Sequence, residues 1–379
     1  MAKTARLNGI LYSVIVCLSG VICGCRGVDP GSFEIEPLPE SAAVTPAEAT
    51  MPEEDSSAQA VAQTPPTAPD EEVPVAEPNE PSPAVELALK FAPGHSTTYK
   101  VTTEVQKGVQ WEGAPGTRPA AFKGGHSGSR VEMTFEQRIE SVDAEGDAVV
   151  QITIKALKYL GRMRDEVILD FDSAREEDQD NPLAKLVGEG YKLEMSARGE
   201  ILALIDVEPL RKALEGPLPG HDTAQKLLSR GRILQRHEVV ALSASKEKIV
   251  RPGQDWSSVK AFSFGMMGAQ SYERIYTLKE VQADEGPLAV IEMKAIPSAA
   301  LAEEMHKQQV VNPFAGMFDN TASYEGRLEL ELATGTIRRY AEEMRTEWVV
   351  ADPQAVTGEA RPSALRMSAM QLYRLESVE

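Results

Sequence analysis

The sequence predicts an α+β protein: a mainly antiparallel, curved, half-barrel-like sheet packed on a few helices. Three observations predict it. Long stretches after Leu87 alternate apolar and polar residues with period two, which gives each strand one apolar face. Turn-forming clusters such as Asp143-Ala144-Glu145-Gly146-Asp147 separate those stretches. Only residues 207–245 switch to helical spacing.

Bulk composition bounds the function. Hydrophobic residues make up 42%, enough for a core, and the formal charge is -19. Such a charge excludes a nucleic-acid binder, which needs Lys and Arg to replace counterions on phosphate. The acidity is localised. Gly27 to Leu89 holds 14 Asp and Glu and no Lys or Arg, so the chain from Lys90 onward is only mildly acidic. All three cysteines, Cys17, Cys23 and Cys25, lie near the N-terminus. The rest of the chain therefore relies on its core instead of disulfides. It also lacks the ligands and nucleophile for Cys-zinc, iron–sulfur or cysteine chemistry.

Residues 1–24 read as a signal peptide. Lys3 and Arg6 are followed by an apolar stretch, Ile10–Ile22, too short to span a bilayer as a helix. Ile22-Cys23-Gly24-Cys25 then resembles the lipobox of bacterial lipoproteins. The resemblance implies a cut between Gly24 and Cys25 and a diacylglyceryl thioether on Cys25, with an acylated new N-terminus. Two or more acyl chains hold a protein firmly on a bilayer. Cys23 departs from the common pattern, where a small or hydroxyl residue is more usual. Arg26 is not the acidic residue that retains some lipoproteins on the inner membrane, so the outer membrane is favoured.

Residues 25–86 read as a disordered tether rich in Pro, Ala and Glu, as in Thr64-Pro65-Pro66-Thr67-Ala68-Pro69-Asp70. Such a segment buries too little apolar surface to offset its ordering entropy. Its reach as an extended spacer is about 180 Å. The folded domain is expected over 87–379, with halves at about 87–206 and 250–379 joined by the helical connection 207–245.

Strands are expected at Thr98–Val105, Ser129–Ile139, Ala148–Leu157, Tyr191–Met195 and Glu200–Leu204. Two or three helices are expected within 207–245, broken at Pro217, Pro219 and Gly220. Two later stretches then resemble earlier ones. Phe135–Ile152 resembles Tyr276–Met293, with Val142 matching Val281 at an offset of 139. Tyr191–Ile201 resembles Arg327–Ile337, with Gly199 matching Gly335 at an offset of 136. Duplication accounts for the nearly equal offsets; chance likeness between amphipathic hairpins is the competing account.

The layout resembles a family of uncharacterised bacterial secreted lipoproteins, a domain of unknown function. The residues that carry it are Pro93-Gly94 before Tyr99-Lys100-Val101, Asp172-Ser173, Asn181-Pro182-Leu183-Ala184 before Leu186-Val187-Gly188, the hairpin from Leu193 to Ile201, and Pro252-Gly253-Gln254-Asp255-Trp256. The resemblance supplies no catalytic residues. General similarity to periplasmic lipid-carrier lipoproteins implies a strongly curved sheet wrapped around helices.

The chemistry-bearing residues do not converge. Glu303 and His306 have an i, i+3 spacing used in di-iron bundles but lack the further carboxylates. Gly125-His126-Ser127-Gly128 resembles a nucleophile elbow but precedes a strand; with Asp172 it is the only hydrolase candidate. The acidic run Asp170, Asp172, Glu176, Glu177, Asp178 and Asp180 lacks EF-hand spacing. No phosphate-cradling loop or dinucleotide fingerprint occurs. Apolar loops at Gly265–Gly268 and Phe314–Phe318 are candidates for a pocket edge.

The expectation is a non-enzymatic cell-envelope domain, membrane-anchored, without cofactor or metal. Its partner is the membrane together with an apolar ligand such as a lipid. The alternative is an interaction module for envelope proteins, and a hydrolase ranks third.

Overall fold

The computed structural model describes residues 83–378 apart from 114–115, 117, 218–219, 283–285, 300–317 and 352–362. The expected signal peptide, Gly24 and Cys25, and the tether as far as residue 82 lie outside the described residues; Val85–Glu86, expected as the end of the tether, instead pair with Ile249–Val250.

The first half of the domain contributes β1 (Val85–Glu86), β2 (Ser96–Glu112), β3 (Gly125–Val142), β4 (Ala148–Met163), β5 (Glu166–Asp172), β6 (Gly190–Met195) and β7 (Ile201–Ile205). Four short helices follow: α1 (Val207–Ala213), α2 (His221–Leu227), α3 (Arg230–His237) and α4 (Val240–Ser243). The second half contributes β8 (Ile249–Val250), β9 (Asp255–Ser263), β10 (Ala269–Gln282), β11 (Leu288–Ser298), β12 (Asp319–Glu331), β13 (Thr336–Ala351) and β14 (Ala364–Val378). Twelve strands form one antiparallel sheet in the order β7-β6-β4-β3-β2-β14-β13-β12-β11-β10-β9, with β5 paired to β4. The two ends of this path do not pair, so the sheet is curved but not closed.

The architecture is mostly β, as the alternation requires. Strands run longer than the alternation first suggests: β2 has 17 residues and β3 has 18. Their outer ends pass beyond the fully buried core, where residues such as Val105 and Val109 are half-buried. The 207–245 segment forms four helices instead of two or three, and at four to eight residues each depends on tertiary packing for its stability.

Corresponding geometry recurs in the two halves. Gly94 N donates to Ile139 O at 2.8 Å and Gly253 N donates to Leu278 O at 2.7 Å. Ile139 N returns to His95 O, and Leu278 N returns to Gln254 O. Glu140 is the extra residue of a bulge between β3 and β4, and Lys279 is the extra residue between β10 and β11. Those residues are 139 apart. Leu202 and Arg338, 136 apart, are the extra residues in the β6–β7 and β12–β13 pairings.

The second half is rolled tightly. β9 and β13 are four strand spacings apart, about 19 Å in a flat sheet. Yet the Phe264 and Trp348 rings stand 4.9 Å apart and Lys260 Nζ lies 3.6 Å from Glu342 Oε2. Side chains of the sheet itself therefore fill this half. In the first half and at the seam the helices do the filling. Tyr373 Oη on β14 donates to Arg236 O, Trp256 Nε1 on β9 donates to Ala241 O, and Arg198 donates to Ser243 O. Through Trp256 the helices also reach β9, the edge strand of the second half.

The segment Leu89–Lys90 is held by the two corresponding turns. Leu89 N donates to Ala197 O at 2.7 Å and Lys90 Nζ donates to Leu332 O at 2.6 Å. Gly335 closes the second turn with φ 67, and a Cβ there would stand 2.1 Å from Lys90 N. Gly94 has φ 84 but open space around it. Left-handed backbone alone costs a non-glycine residue about 1–2 kcal/mol. Gly94→Ala should lose that amount, and Gly335→Ala clearly more, in urea midpoints. Equal losses would refute the clasp.

Candidate functional site

The seam is where β2 meets β14, and it is the place where both halves and the helices converge. A cleft opens there, about 540 Å³ counted to its mouth. Its floor is apolar: Leu89, Phe91, Tyr99, Phe135, Ile139, Met195, Val239, Ile337 and Leu375. Its polar rim is Lys90, His95, Thr97 and Gln137. Alternation puts Thr97 and Tyr99 of β2, with their partners Gln137 and Phe135 of β3, on one inner face, and the division follows depth along the strands, from buried Tyr99 and Phe135 to half-buried Thr97 and Gln137. Most of the volume is open mouth; the enclosed space takes roughly two water molecules.

A buried polar network backs the cleft. Arg236 donates through Nη1 to Tyr191 Oη at 2.9 Å and through Nη2 to Leu227 O at 2.9 Å. Tyr191 Oη lies 2.7 Å from His237 Nε2. With Tyr191 accepting from Arg236, its own proton goes to His237, whose Nε2 is the acceptor. Burial, then the Arg236 charge, holds the His237 pKa well below the ordinary imidazole value. Burial pushes the Tyr99 phenol up to about 12.

A second polar group lies inside the rolled half. The Glu342 carboxylate accepts from Tyr324 Oη at 2.5 Å and from Tyr340 Oη. Lys260 Nζ approaches it at 3.6 Å and Arg274 Nη1 at 3.8 Å. Arg274 is only 1% exposed. Burial would raise the Glu342 pKa; Lys260, Arg274 and the two hydroxyls outweigh it and hold the group at about 2.

The hydrolase candidates are not brought together. His126 Nδ1 lies 3.0 Å from Asp165 Oδ1, and Gln110 Nε2 lies 3.2 Å from its Nε2. Ser127 Oγ accepts from Arg164 N, and Asp172 pairs with Lys158 at 2.8 Å. Adjacent positions on a strand face opposite sides, so Ser127 and His126 diverge. Asp170 and Asp178 both bind Arg175, at 3.0 and 2.7 Å. Gly265–Met267 is a 3-10 turn between β9 and β10, away from the cleft, with Met267 packed against the core. Glu303, His306 and Phe314–Met317 lie outside the described residues.

Sequence reasoning missed the clefted seam, with its His95 and His237, and the Glu342 group. The latter did leave a signal. Arg274 sits between Tyr272 and Tyr276 on the inward register of β10, and Glu342 between Tyr340 and Met344 on that of β13. A charge at an apolar position of the alternation marks a buried pair.

No family model matches the chain, so the resemblance to uncharacterised secreted lipoproteins stands on its short motifs alone. No curated protein matches it either. A solved structure titled "Lipid-protein interactions in lipovitellin" is similar at 16% identity, with a TM-score of 0.37. The match covers 76% of this chain and 26% of that one, so the chain spans about a quarter of its length. A likeness that loose carries no functional argument. Among the described residues, no helix is long and apolar enough to cross a membrane.

Proposed function

We propose that the chain is a cell-envelope lipoprotein, anchored through Cys25, whose β domain binds an amphiphile at the seam cleft and performs no covalent chemistry. The cleft carries this reading, with an apolar floor under a rim that offers Lys90, His95, Thr97 and Gln137 to a polar head. The ligand's apolar part is short or enters only when the Leu89–Phe91 segment yields, because the surrounding interior is filled by side chains. The recurring bulges and turns support two duplicated halves, and the cleft lies on their seam.

Native mass spectrometry of the membrane-extracted chain tests the binding. The wild type should retain an amphiphile, and Thr97→Trp, which plugs the mouth, should lose it. A wild type that carries none refutes the cleft reading. Anchoring has its own readout. Cys25→Ser should abolish incorporation of a fatty-acid label and move the chain out of the vesicle fraction; unchanged labelling refutes it.

A further inference from the structure

We propose that the tip of the β4–β5 hairpin is a contact for a lipid bilayer surface. Seven large apolar residues are exposed among the described residues, and three of them lie within six positions of this tip: Met163 (36%), Val167 (54%) and Ile168 (55%). Leu202, Ile249, Ile296 and Val378 belong to other elements. Scattered single residues need no explanation, but three within six positions at one turn do. Arg162 and Arg164 stand beside Asp165 and Glu166, so the tip is close to neutral and its attraction to a bilayer is carried by the apolar side chains.

The tip is held rigid. Arg164 and Asp165 have φ of 51 and 68, uncommon for residues other than glycine. Neighbouring β3 fixes them: Asp165 N donates to His126 O, His126 N donates to Asp165 Oδ1, and Arg164 N donates to Ser127 Oγ. This gives the His126–Ser127 pair and Asp165 a positioning role. Strand addition by a protein partner fits less well. β5 has only seven residues, its pairing is broken by a bulge at Ile168, and Asp170 and Asp172 lower on it are tied to Arg175 and Lys158.

Chain length permits the orientation. Leu89–Lys90 enters the domain at the opposite end of β4, whose 16 residues span about 50 Å. The chain between Cys25 and residue 83 can extend to about 190 Å. Proximity to the bilayer rests on the anchoring proposed above, and the test separates the two.

Ile168→Cys and, as control on the separate β1–β8 pair beside the Leu89 entry, Ile249→Cys each introduce a thiol outside the Cys25 region for an environment-sensitive fluorophore. The full-length chain, extracted from membranes, is reconstituted into vesicles of phosphatidylcholine with phosphatidylglycerol. Brominated lipid should quench the label at Ile168, with a blue shift, and leave the label at Ile249 unchanged. Equal quenching at both positions, or none at Ile168, overturns the proposal. Protection of the Ile168 label by an envelope protein instead of lipid also overturns it. A chain that stays in the supernatant refutes the anchor; the Ile168 label read against excess added vesicles then decides the tip independently.

Discussion

Glu342→Ala is expected to destabilise the domain by about 3–5 kcal/mol, the cost of leaving buried charges without their partner. The carboxylate is 7% exposed and is met by Lys260, Arg274, Tyr324 and Tyr340. Removing it leaves Arg274, at 1% exposure, in an apolar interior, and deprives two tyrosine hydroxyls of their acceptor. Lys260, on edge strand β9, bridges the roll to β13, so the rolled half should loosen first. Trp348 packs on Phe264 in that half and supplies a fluorescence signal. The combined change Lys260→Met, Arg274→Met, Glu342→Leu, Tyr324→Phe and Tyr340→Phe should be far milder, since apolar groups of similar volume leave neither a buried charge nor an unpaired hydroxyl. Urea midpoints check both. A loss under about 1 kcal/mol for Glu342→Ala would show that the group is not desolvated as described. Acid has a defined effect as well. Glu342 titrates at about 2 in the fold against an ordinary 4.5. Its contribution is complete above about pH 4.5 and is lost as pH falls through about 2.

His237 produces the second large effect, at milder acidity. It is 3% exposed, accepts from Tyr191, and stands beside the buried Arg236. Its folded pKa lies well below the ordinary 6.5, through burial first and Arg236 second. Below pH 6.5 the unfolded chain binds a proton that the fold refuses. Stability that is present above that pH is therefore lost as pH falls, at up to about 1.4 kcal/mol per unit until the folded pKa is reached. The groups facing His237 are Arg236 on α3, Tyr191 on β6 and Phe135 on β3, and none is a carboxylate that could stabilise an imidazolium. Urea midpoints of the wild type should drop between pH 7.5 and 5.5 by more than those of His237→Gln. Parallel slopes would assign the loss to other groups. Since Tyr373 on β14 and Tyr191 both bind α3, charging His237 strikes the docking of the helices onto the seam and so the cleft beside it.

Parts of the site were legible in the residues and parts were not. The alternation that put Tyr99, Phe135 and Ile139 on one face foretold an apolar floor. The likeness of Val142 to Val281 suggested related hairpins, while the matching bulges at Glu140 and Lys279 are visible only in the strand pairing. His237 looked like a polar residue at the end of a short helix. Its burial depends on Tyr191, 46 positions earlier, and on no local pattern. His126, Ser127 and Asp172 did not converge in the sequence and are apart in the fold: the strand sends the first two to opposite faces and Asp172 pairs with Lys158.

By itself the sequence determined the period-two faces, the turns with their left-handed glycines, and the localisation of charge and cysteine at one end. These properties are local, set by side-chain alternation and backbone sterics within a few residues. Only the tertiary structure decided the open order of the sheet, the tight roll that brings Lys260 to Glu342, the seam between β2 and β14, and the cleft beneath it. Those depend on which distant faces pack together, and many registers of equally apolar strands would satisfy the same pattern. The choice among them is made by summed packing over the whole core.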